Sequence, residues 1–434
     1  MKPFAALALF FLAACAGAPQ KPPRRDAKNV IFLIGDGMGF SQVTLARIVH
    51  EKPLALDAFP ATGFQLSHSA DHCVTDSAAA ATALASGAKT NNFAIGLGPD
   101  GRPLETILEQ ARKLGKATAL VTTSKITHAT PACFAAHVEH RSKERDIAKQ
   151  YLDAGVDVLL GGGEEFFDEA LQRAFADQGY AILKNADALA KWDGAKALGL
   201  FDRDHVPYVL DRGAACPSLV DMTRRALAAL SKSDRGFFLM VEGARIDMAC
   251  HASDAASSVR EMLEFDAVCA LAADFAGKDG RTLVVVTADH ATGGMAITEK
   301  VKDRAKRFAS VKSSAEDIDR RIRQSPAAAG AEVIVRQVVG DRAGVGNLTD
   351  DEVRAYLATK GKYDPAARIG ETVSKRLGVT FIPLDYRLDP PNTTHGHDGA
   401  MVPIYALGPG AERFSGTLDN TEIPRRIREL AGYR

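Results

Sequence analysis

Acidic and histidine side chains occur at two places in the sequence with spacings that suit a metal ion. Asp247 and His251 are four residues apart, so on a helix both side chains lie on one face. Asp289 and His290 are adjacent and follow an apolar run, which offers two ligands with different side-chain directions. Carboxylate oxygens and imidazole nitrogens are typical zinc ligands. Taken singly, each pair is also common as a surface ion pair or a capped turn.

A serine lies at the start of a strongly helix-forming segment. The sequence from Val74 to Thr82 is VTDSAAAAT, and its alanine run favours a helix. If Thr75 or Asp76 caps this helix, Ser77 falls in the first turn, where unpaired N–H groups and the helix dipole favour an anion. The position therefore suits a serine that meets an anionic ligand. The alternative is that Ser77 only helps to cap the helix.

Two further carboxylates follow apolar runs. Val30–Ile34 leads into GDGMG, in which glycines flank Asp36, and Phe237–Val241 leads into Glu242. Flanking glycines let the backbone and the Asp36 carboxylate approach a ligand closely, although Asp beside Gly is also ordinary turn chemistry. Open α/β sheets bind ligands at the carboxyl ends of their strands. We therefore expect the residues that follow these runs to form a site.

The elements that position these residues alternate between strand and helix. Short apolar runs bounded by glycine or polar turns are typical of strands buried on both faces, and helical stretches such as Leu104–Lys113 and Ala255–Ala272 lie between them. The alternation predicts an α/β fold with a largely parallel central sheet flanked by helices on both faces. The predicted strands are Val30–Ile34, Thr118–Thr122, Val156–Leu160, Phe237–Val241, Leu283–Thr287 and Val402–Ala406.

The stretch from about residue 300 to about residue 377 has a different composition. It is rich in Lys, Arg, Glu, Asp and Ala, and Ser313–Gln324 and Thr349–Lys360 have amphipathic or solvated helical patterns. Because strand signals resume after it, we interpret the stretch as a helical insertion or cap between the late strands of one catalytic domain, residues 29–434. A separate domain is the alternative.

The overall charge argues against general electrostatic binding of nucleic acid. The 434 residues include 54 Lys+Arg and 54 Asp+Glu, so the formal net charge is zero. Without a general positive field we expect no nucleic-acid-specific binding, and an anionic ligand must be held by a local site.

The first residues are typical of an export signal. Lys2 precedes the apolar run Phe4–Leu12, which is too short to span a bilayer. The sequence LAAC, ending at Cys15, resembles the bacterial lipoprotein box. We predict a signal peptide at residues 1–14, a lipidated Cys15 with a tether at 15–28, and an exported protein anchored to a bacterial membrane facing the periplasm or the outside. The alternative is an ordinary signal peptide cleaved nearby.

Six motifs together resemble those of alkaline phosphatases, in that family's order. They are GDGMG, VTDSAAAAT, THATPACFAAH, VEGARIDMACH, VTADHATGG and HDGAMVPIYALGPGA, and they run from about Asn29 to about Gly410. The resemblance implies a metal-dependent phosphomonoesterase that acts on phosphorylated small molecules through a phosphoserine. It also implies two Zn²⁺ ions and one Mg²⁺ ion, and because relatives are often dimers, a homodimer is one expected assembly.

The resemblance implies a role for each matched residue. Ser77 is the nucleophile, and Arg141, which follows HVEH, is the phosphate clamp, oriented by Asp76. The metal ligands fall into three sets. The first zinc has Asp247, His251 and His397, with His395 as the fallback for His397; the second has Asp36, Asp289 and His290 beside Ser77; the magnesium has Asp36, Glu242 and Thr130.

Two positions depart from the most common family pattern. At His128 some relatives have aspartate and others histidine, so His128 is expected to tune or replace ligation at the magnesium site. At Met248 relatives often carry Lys, His or Trp, and methionine cannot donate a hydrogen bond. The third metal's identity is therefore open at this point.

Two other functions are consistent with parts of the pattern. A phosphodiesterase of the same superfamily would share the metal ligands, but Arg141 occupies the room that a second ester group needs. A non-catalytic phosphate- or metal-binding lipoprotein would lack ligands or the nucleophile, whereas here all are present.

Overall fold

A computed structural model describes residues 27–298, 303–326, 330–359, 364–384 and 396–433. The predicted signal peptide, Cys15, nearly all of the predicted tether and His395 lie outside these residues. Within them, no helix is both long enough and apolar enough to cross a membrane. The strands are β1 Asn29–Ile34, β2 Ala61–Leu66, β3 Ala117–Lys125, β4 Val158–Gly162, β5 Ala181–Leu183, β6 Ala197–Leu200, β7 Phe237–Glu242, β8 Thr282–Thr287, β9 Ala291–Thr292, β10 Ala296–Ile297, β11 Val379–Thr380, β12 His397–Asp398, β13 Val402–Leu407 and β14 Gly416–Asp419.

Helices connect most of these strands. They are α1 Phe40–His50, α2 Ser77–Ser86, α3 Ile107–Lys113, α4 Ala129–Ala132, α5 Glu144–Ala154, α6 Glu169–Asp177, α7 Ala186–Lys191, α8 Leu219–Leu230, α9 Arg245–His251, α10 Ala255–Asp279, α11 Arg304–Ser310, α12 Ala315–Gln324, α13 Ala331–Ala343, α14 Asp350–Leu357, α15 Pro365–Arg376 and α16 Glu422–Ala431.

The central sheet is largely parallel, as predicted. In the described part of the chain it has ten strands in the order β14-β2-β13-β8-β1-β7-β3-β4-β6-β5. Strand β13 runs antiparallel to its neighbours β8 and β2, and the other neighbouring pairs are parallel. Strands β1, β7 and β8 are buried along their whole length, which explains their unbroken apolar sequences.

Alternate residues of β1 face opposite sides of the sheet and enter different hydrophobic clusters. Phe32 packs in a cluster that includes residues of α2, α3, α5 and α16. Leu33 packs in a second cluster with residues of α1, α8 and α10. Because side chains alternate along a strand, helices therefore cover both faces of the sheet, and the predicted fold class is confirmed.

Five helices, α11 to α15, occupy the described residues between β10 and β11. Strands β10 and β11 pair with each other and bring the two ends of this helical stretch together. The stretch has its own hydrophobic cluster, in which Ile318 and Ile369 pack with Leu45 of α1 and Val259 of α10. The stretch therefore packs directly on helices of the sheet domain.

Capping side chains determine where the predicted helices begin. Ser314 caps α12 through its side chain and Thr349 caps α14, so both helices begin one or two residues after the predicted starts. Thr106 and Glu109 form a capping box at α3, which begins three residues after the predicted start at Leu104.

Candidate active site

Three adjacent parallel strands bring the predicted carboxylates to one edge of the sheet. Strand β1 lies between β7 and β8, with Ile34 in register with both Glu242 and Thr287. Asp36 follows β1, Glu242 ends β7, and Asp289 follows β8. The carboxyl ends of these strands therefore place three carboxylates side by side, as the topology of an open α/β sheet favours.

Ser77 is the first residue of α2, and Asp76 is its N-cap. The Asp76 Oδ1 atom accepts hydrogen bonds from the N–H groups of Ala79, at 3.0 Å, and Phe93, at 3.1 Å. Because Asp76 caps the helix, the Ser77 hydroxyl is available for another contact. Its Oγ lies 3.2 Å from His290 Nε2. The structure therefore favours the interpretation that Ser77 faces an anionic ligand. It does not favour the alternative that Ser77 only caps the helix.

The first cluster of candidate ligands surrounds this same imidazole. His290 Nε2 lies 3.2 Å from Asp289 Oδ2 and 3.6 Å from Asp36 Oδ1. Among the described residues, neither Asp36 oxygen nor Asp289 Oδ2 has a hydrogen-bond partner, although all three atoms are buried. Unpaired buried carboxylate oxygens are costly unless a cation satisfies them. The donor set therefore fits a divalent metal ion beside Ser77.

The second cluster consists of Asp247, His251 and His397. The Nε2 atoms of His251 and His397 are 3.1 Å apart. Asp247 Oδ2 lies 3.2 Å from His251 Nε2, and Asp247 Oδ1 lies 3.7 Å from His397 Nε2. Atoms that ligate one tetrahedral zinc ion at ~2.0–2.1 Å lie about 3.3 Å from one another. The three side chains therefore fit one zinc ion, and His397 is held there by pairing of β12 with β9.

Outer hydrogen bonds assign the tautomers of two of these histidines. His397 Nδ1 lies 2.9 Å from the Thr75 carbonyl oxygen, which only accepts, so Nδ1 carries the proton. His290 Nδ1 lies 3.1 Å from Thr292 Oγ1, and the Thr292 hydroxyl donates its own proton to Asp247. Both imidazoles therefore direct an unprotonated Nε2 at the clusters, as metal ligation requires. The sequence analysis missed Thr292, although it stands two residues after His290 in the motif VTADHATGG.

The third cluster joins Asp36, Glu242 and His128, whose candidate ligand atoms lie within 4.8 Å of one another. Thr122 and Ser124 donate to Glu242 Oε2, and the buried Thr130 hydroxyl lies close enough to Glu242 to lower its pKa. Burial raises the pKa of Glu242 to about 7, against the lowering effect of the neighbouring hydroxyls. Thr122 and Ser124, both at the end of β3, were also missed.

The carboxylates of this site crowd one another, which favours the binding of cations among them. Burial raises the pKa of Asp36 well above its usual range, and the nearby Asp289, Asp247 and Glu242 raise it further. Burial also raises the pKa of Asp289. Positive charge among these groups would restore their ionised forms.

Arg141 is fixed from two sides at the entrance of the site. Its Nη1 donates to Asp76 Oδ2 at 3.0 Å, and its Nη2 donates to His128 Nε2 at 3.0 Å. Arg141 lines a cavity of about 530 Å³ together with Ser77, Asp247 and Met248. The guanidinium therefore lies in the cavity that contains the serine, and Asp76 both caps α2 and holds Arg141.

Comparisons with known proteins point to one family across most of the chain. The family model described as "Alkaline phosphatase" matches residues 27–433. Alkaline phosphatase 3 of Bacillus subtilis strain 168 is 38% identical over 440 residues, covering 97% of this chain and 92% of the relative. The crystal structure of Thermus thermophilus alkaline phosphatase has a TM-score of 0.85 at 30% identity, covering 98% of this chain and 96% of that one.

A second similar structure has a metal ion at a named site. It is a mutant of alkaline phosphatase from the Antarctic bacterium TAB5, with a histidine changed to aspartate and magnesium bound in its M3 site. Its TM-score is 0.69 at 28% identity, with 95% of this chain and 99% of that one covered.

The fold and the arrangement of acidic, histidine, serine and arginine side chains define a hydrolase that acts on an anionic ester. The chain belongs to the alkaline phosphatase family. It is therefore an enzyme that hydrolyses phosphoric monoesters, as the resemblance in its motifs predicted.

Proposed function

We propose that the enzyme hydrolyses phosphate monoesters through a phosphoserine formed on Ser77, with two zinc ions and one magnesium ion as cofactors. The observation that carries this proposal is the position of the Ser77 hydroxyl, at the N-terminus of α2 and 3.2 Å from His290 Nε2. A nucleophile placed there meets an incoming phosphoryl group beside backbone N–H groups and the positive end of the helix dipole.

The chemistry consists of two displacements at phosphorus. In the first, Ser77 Oγ forms a bond to phosphorus while the ester P–O bond breaks, and the alcohol leaves. In the second, water attacks the phosphoserine and frees the Ser77 hydroxyl and inorganic phosphate. One water molecule is consumed overall. Its hydroxyl group remains on the phosphate, and its proton goes to Ser77 Oγ, which lost its own proton to the alcohol in the first displacement.

Arg141 and α2 bind the phosphoryl oxygens during both displacements. The guanidinium fork of Arg141, held by Asp76 and His128, can donate two parallel hydrogen bonds to one phosphoryl group. These donors are already in place, so little reorganisation is needed when negative charge develops.

The side chains that would hold the metal ions are those of the three clusters. The second cluster, Asp247, His251 and His397, would hold the first zinc ion. The first cluster, Asp36, Asp289 and His290, would hold the second zinc ion. Bound there, metal ions lower the pKa of an adjacent hydroxyl or water and stabilise the attacking and leaving oxygens. The magnesium in the M3 site of the TAB5 mutant supports magnesium as one of the cofactors. We assign it to Asp36, Glu242 and Thr130. His128 lies at this third cluster, so we propose that it tunes that ion.

A comparison of ester classes tests the proposed function against the phosphodiesterase alternative. The enzyme without residues 1–15 is loaded with zinc and magnesium. Its kcat/KM is then measured for an aryl phosphomonoester and for the matched diester. We expect a strong preference for the monoester, because Arg141 binds the oxygens that a second ester group would mask. We also expect Arg141→Ala to reduce this preference. A preference for the diester would contradict the assigned role of Arg141.

Two expectations about location and assembly stay predictions. We propose that Cys15 carries a lipid and anchors the exported enzyme to a bacterial membrane. If so, Cys15→Ala moves the enzyme from the membrane fraction to the soluble fraction, and unchanged fractionation would contradict the anchor. Light scattering on the purified enzyme without residues 1–15 measures its mass in solution and so tests the expected homodimer.

A further inference from the structure

Arg245 is a second arginine in the cavity that contains Ser77. It is the first residue of α9, two positions before Asp247, and it lines the cavity of about 530 Å³ together with Ser77 and Arg141. Cavities of roughly 300–1,000 Å³ accommodate small-molecule ligands. The cavity therefore has room for the leaving-group portion of a substrate as well as for its phosphoryl group.

The Arg245 guanidinium is held firmly but is not fully paired. It stacks at 3.5 Å from the centroid of the Tyr208 ring, and its side chain is only 8% exposed. Its Nη2 donates to Glu316 Oε2 at 3.1 Å, whereas its Nη1 contacts only the weak acceptor Met248 Sδ, at 3.0 Å. Within the described residues, its buried Nε has no hydrogen-bond partner. An arginine has five N–H donors, so Nη1, which contacts only a thioether, has capacity for a stronger acceptor.

The carboxylate that pairs with Arg245 belongs to the helical insertion. Glu316 lies in the first turn of α12, and its Oε1 accepts a hydrogen bond from the Tyr208 hydroxyl at 3.0 Å. Asp211 and Asp254 accept hydrogen bonds from the backbone N–H groups of Ser314 and Ala315, which fixes the start of α12 against the sheet domain. The insertion therefore contributes Glu316 to the cavity wall.

The two partners differ in their freedom to move. The Glu316 side chain is 43% exposed, so its carboxylate can exchange its contact with Arg245 for water. Arg245 is buried against Tyr208 and stays in place. The pair therefore consists of a fixed cation and a carboxylate that can be displaced.

We propose that Arg245 is a specificity-determining residue that binds an anionic group on the leaving-group portion of the substrate, in exchange for Glu316. The preferred substrates are then phosphomonoesters whose alcohol carries a second acidic group, such as a carboxylate. The inference rests on the proposed phosphomonoesterase activity and adds a substrate class to it.

A cationic leaving group fits the same wall less well. It would compete for Glu316, both of whose oxygens already accept hydrogen bonds, and it would lie beside the fixed charge of Arg245. A like charge brought to a desolvated cation is strongly unfavourable.

A matched pair of substrates tests the proposal. 3-Carboxyphenyl phosphate and 3-carbamoylphenyl phosphate have nearly the same shape and differ in charge, and comparing the ratio of their kcat/KM values between variants cancels their intrinsic reactivities. We expect Arg245→Gln to lower the ratio of carboxylate to carboxamide ester about tenfold, the size of one charge-assisted contact. We expect Arg245→Lys to retain part of it. We expect Glu316→Gln, which removes the competing charge, to raise the ratio severalfold.

The outcomes separate the inference from the activity on which it rests. Ratios that stay at the wild-type value in both Arg245→Gln and Glu316→Gln would overturn the inference and leave Arg245 a structural residue. If Arg245→Gln has a much lower Tm, Glu316→Gln decides alone, and an unchanged or lower ratio overturns the inference. Failure of the wild-type enzyme to hydrolyse either ester would instead overturn the phosphomonoesterase activity.

Discussion

The carboxylate of Asp76 joins the helix of the serine to Arg141. Oδ1 accepts the N–H groups of Ala79 and Phe93, and Oδ2 accepts from Arg141 Nη1 at 3.0 Å. The Asp76 side chain is only 2% exposed, so water does not replace these contacts. One buried residue therefore sets the position of Ser77 relative to the Arg141 guanidinium, to which we assign phosphate binding.

This relationship predicts the effect of Asp76→Asn. Asparagine caps helices as well as aspartate, so α2 should keep its N-cap. The ion pair with Arg141 is lost, and we expect the inhibition constant for inorganic phosphate to rise roughly three- to tenfold, the equivalent of one ordinary hydrogen bond. Asp71→Asn, in the neighbouring loop, is the matched control and should leave phosphate inhibition unchanged. Equal inhibition of Asp76→Asn and wild type would contradict a positioning role.

The assignment of His397 rather than His395 predicts a difference in metal content. After zinc loading and exhaustive dialysis, we expect His397→Ala to retain about one zinc ion fewer per chain than wild type, because His251 and Asp247 alone are too few ligands. His395→Ala is the control and should retain the wild-type content. Zinc content is measured by inductively coupled plasma mass spectrometry. Loss of zinc only in His395→Ala would reverse the assignment.

Thr292 links the first and second clusters of candidate metal ligands through hydrogen bonds, since it contacts both His290 Nδ1 and Asp247. Thr292→Val keeps the shape of the side chain and removes both bonds. Loss of an outer hydrogen bond to a ligand typically lowers metal affinity ~10–100-fold, and we expect an effect of that size in competition titrations with a chelator. Thr292→Ser retains the hydroxyl and should restore the affinity. If valine and serine variants bind zinc equally well, the hydroxyl has no such role.

Local patterns in the sequence were enough to predict the inner strands and their terminal residues. Strands β1, β7 and β8 are buried on both faces, so each is a continuous apolar run, and Asp36, Glu242 and Asp289 stand where those runs end. The placement of β1 between β7 and β8 is a long-range pairing, which the local pattern does not specify. The resemblance to a family grouped the three carboxylates into ligand sets, and the strand order comes from the structure.

Short or half-exposed strands were missed for a physical reason. In β2 buried and exposed residues alternate, and Ala61–Leu66 includes Thr, Gly and Gln, so no apolar run marks it.

Strand β4 was predicted at Val156–Leu160 but lies at Val158–Gly162, because Gly155 ends α5 in a left-handed conformation and the chain needs two residues to enter the sheet.

The contact between Asp76 and Arg141 was expected from the family resemblance, although the two residues are 65 positions apart. The contact between Arg245 and Glu316, 71 positions apart, was not predicted. Charged residues in a helical insertion are usually solvated, so only the packed structure distinguishes Glu316 from its exposed neighbours.

The most direct test of the account is to trap the phosphorylated enzyme. Metal-loaded enzyme is mixed with a ³²P-labelled phosphomonoester, quenched in acid, and digested for peptide mass spectrometry. We predict label on Ser77 in wild type and in Ser86→Ala, the control at the other end of the same helix. In Ser77→Ala we predict no label and a turnover lower by several orders of magnitude. Label on another residue, or wild-type turnover in Ser77→Ala, would contradict the account.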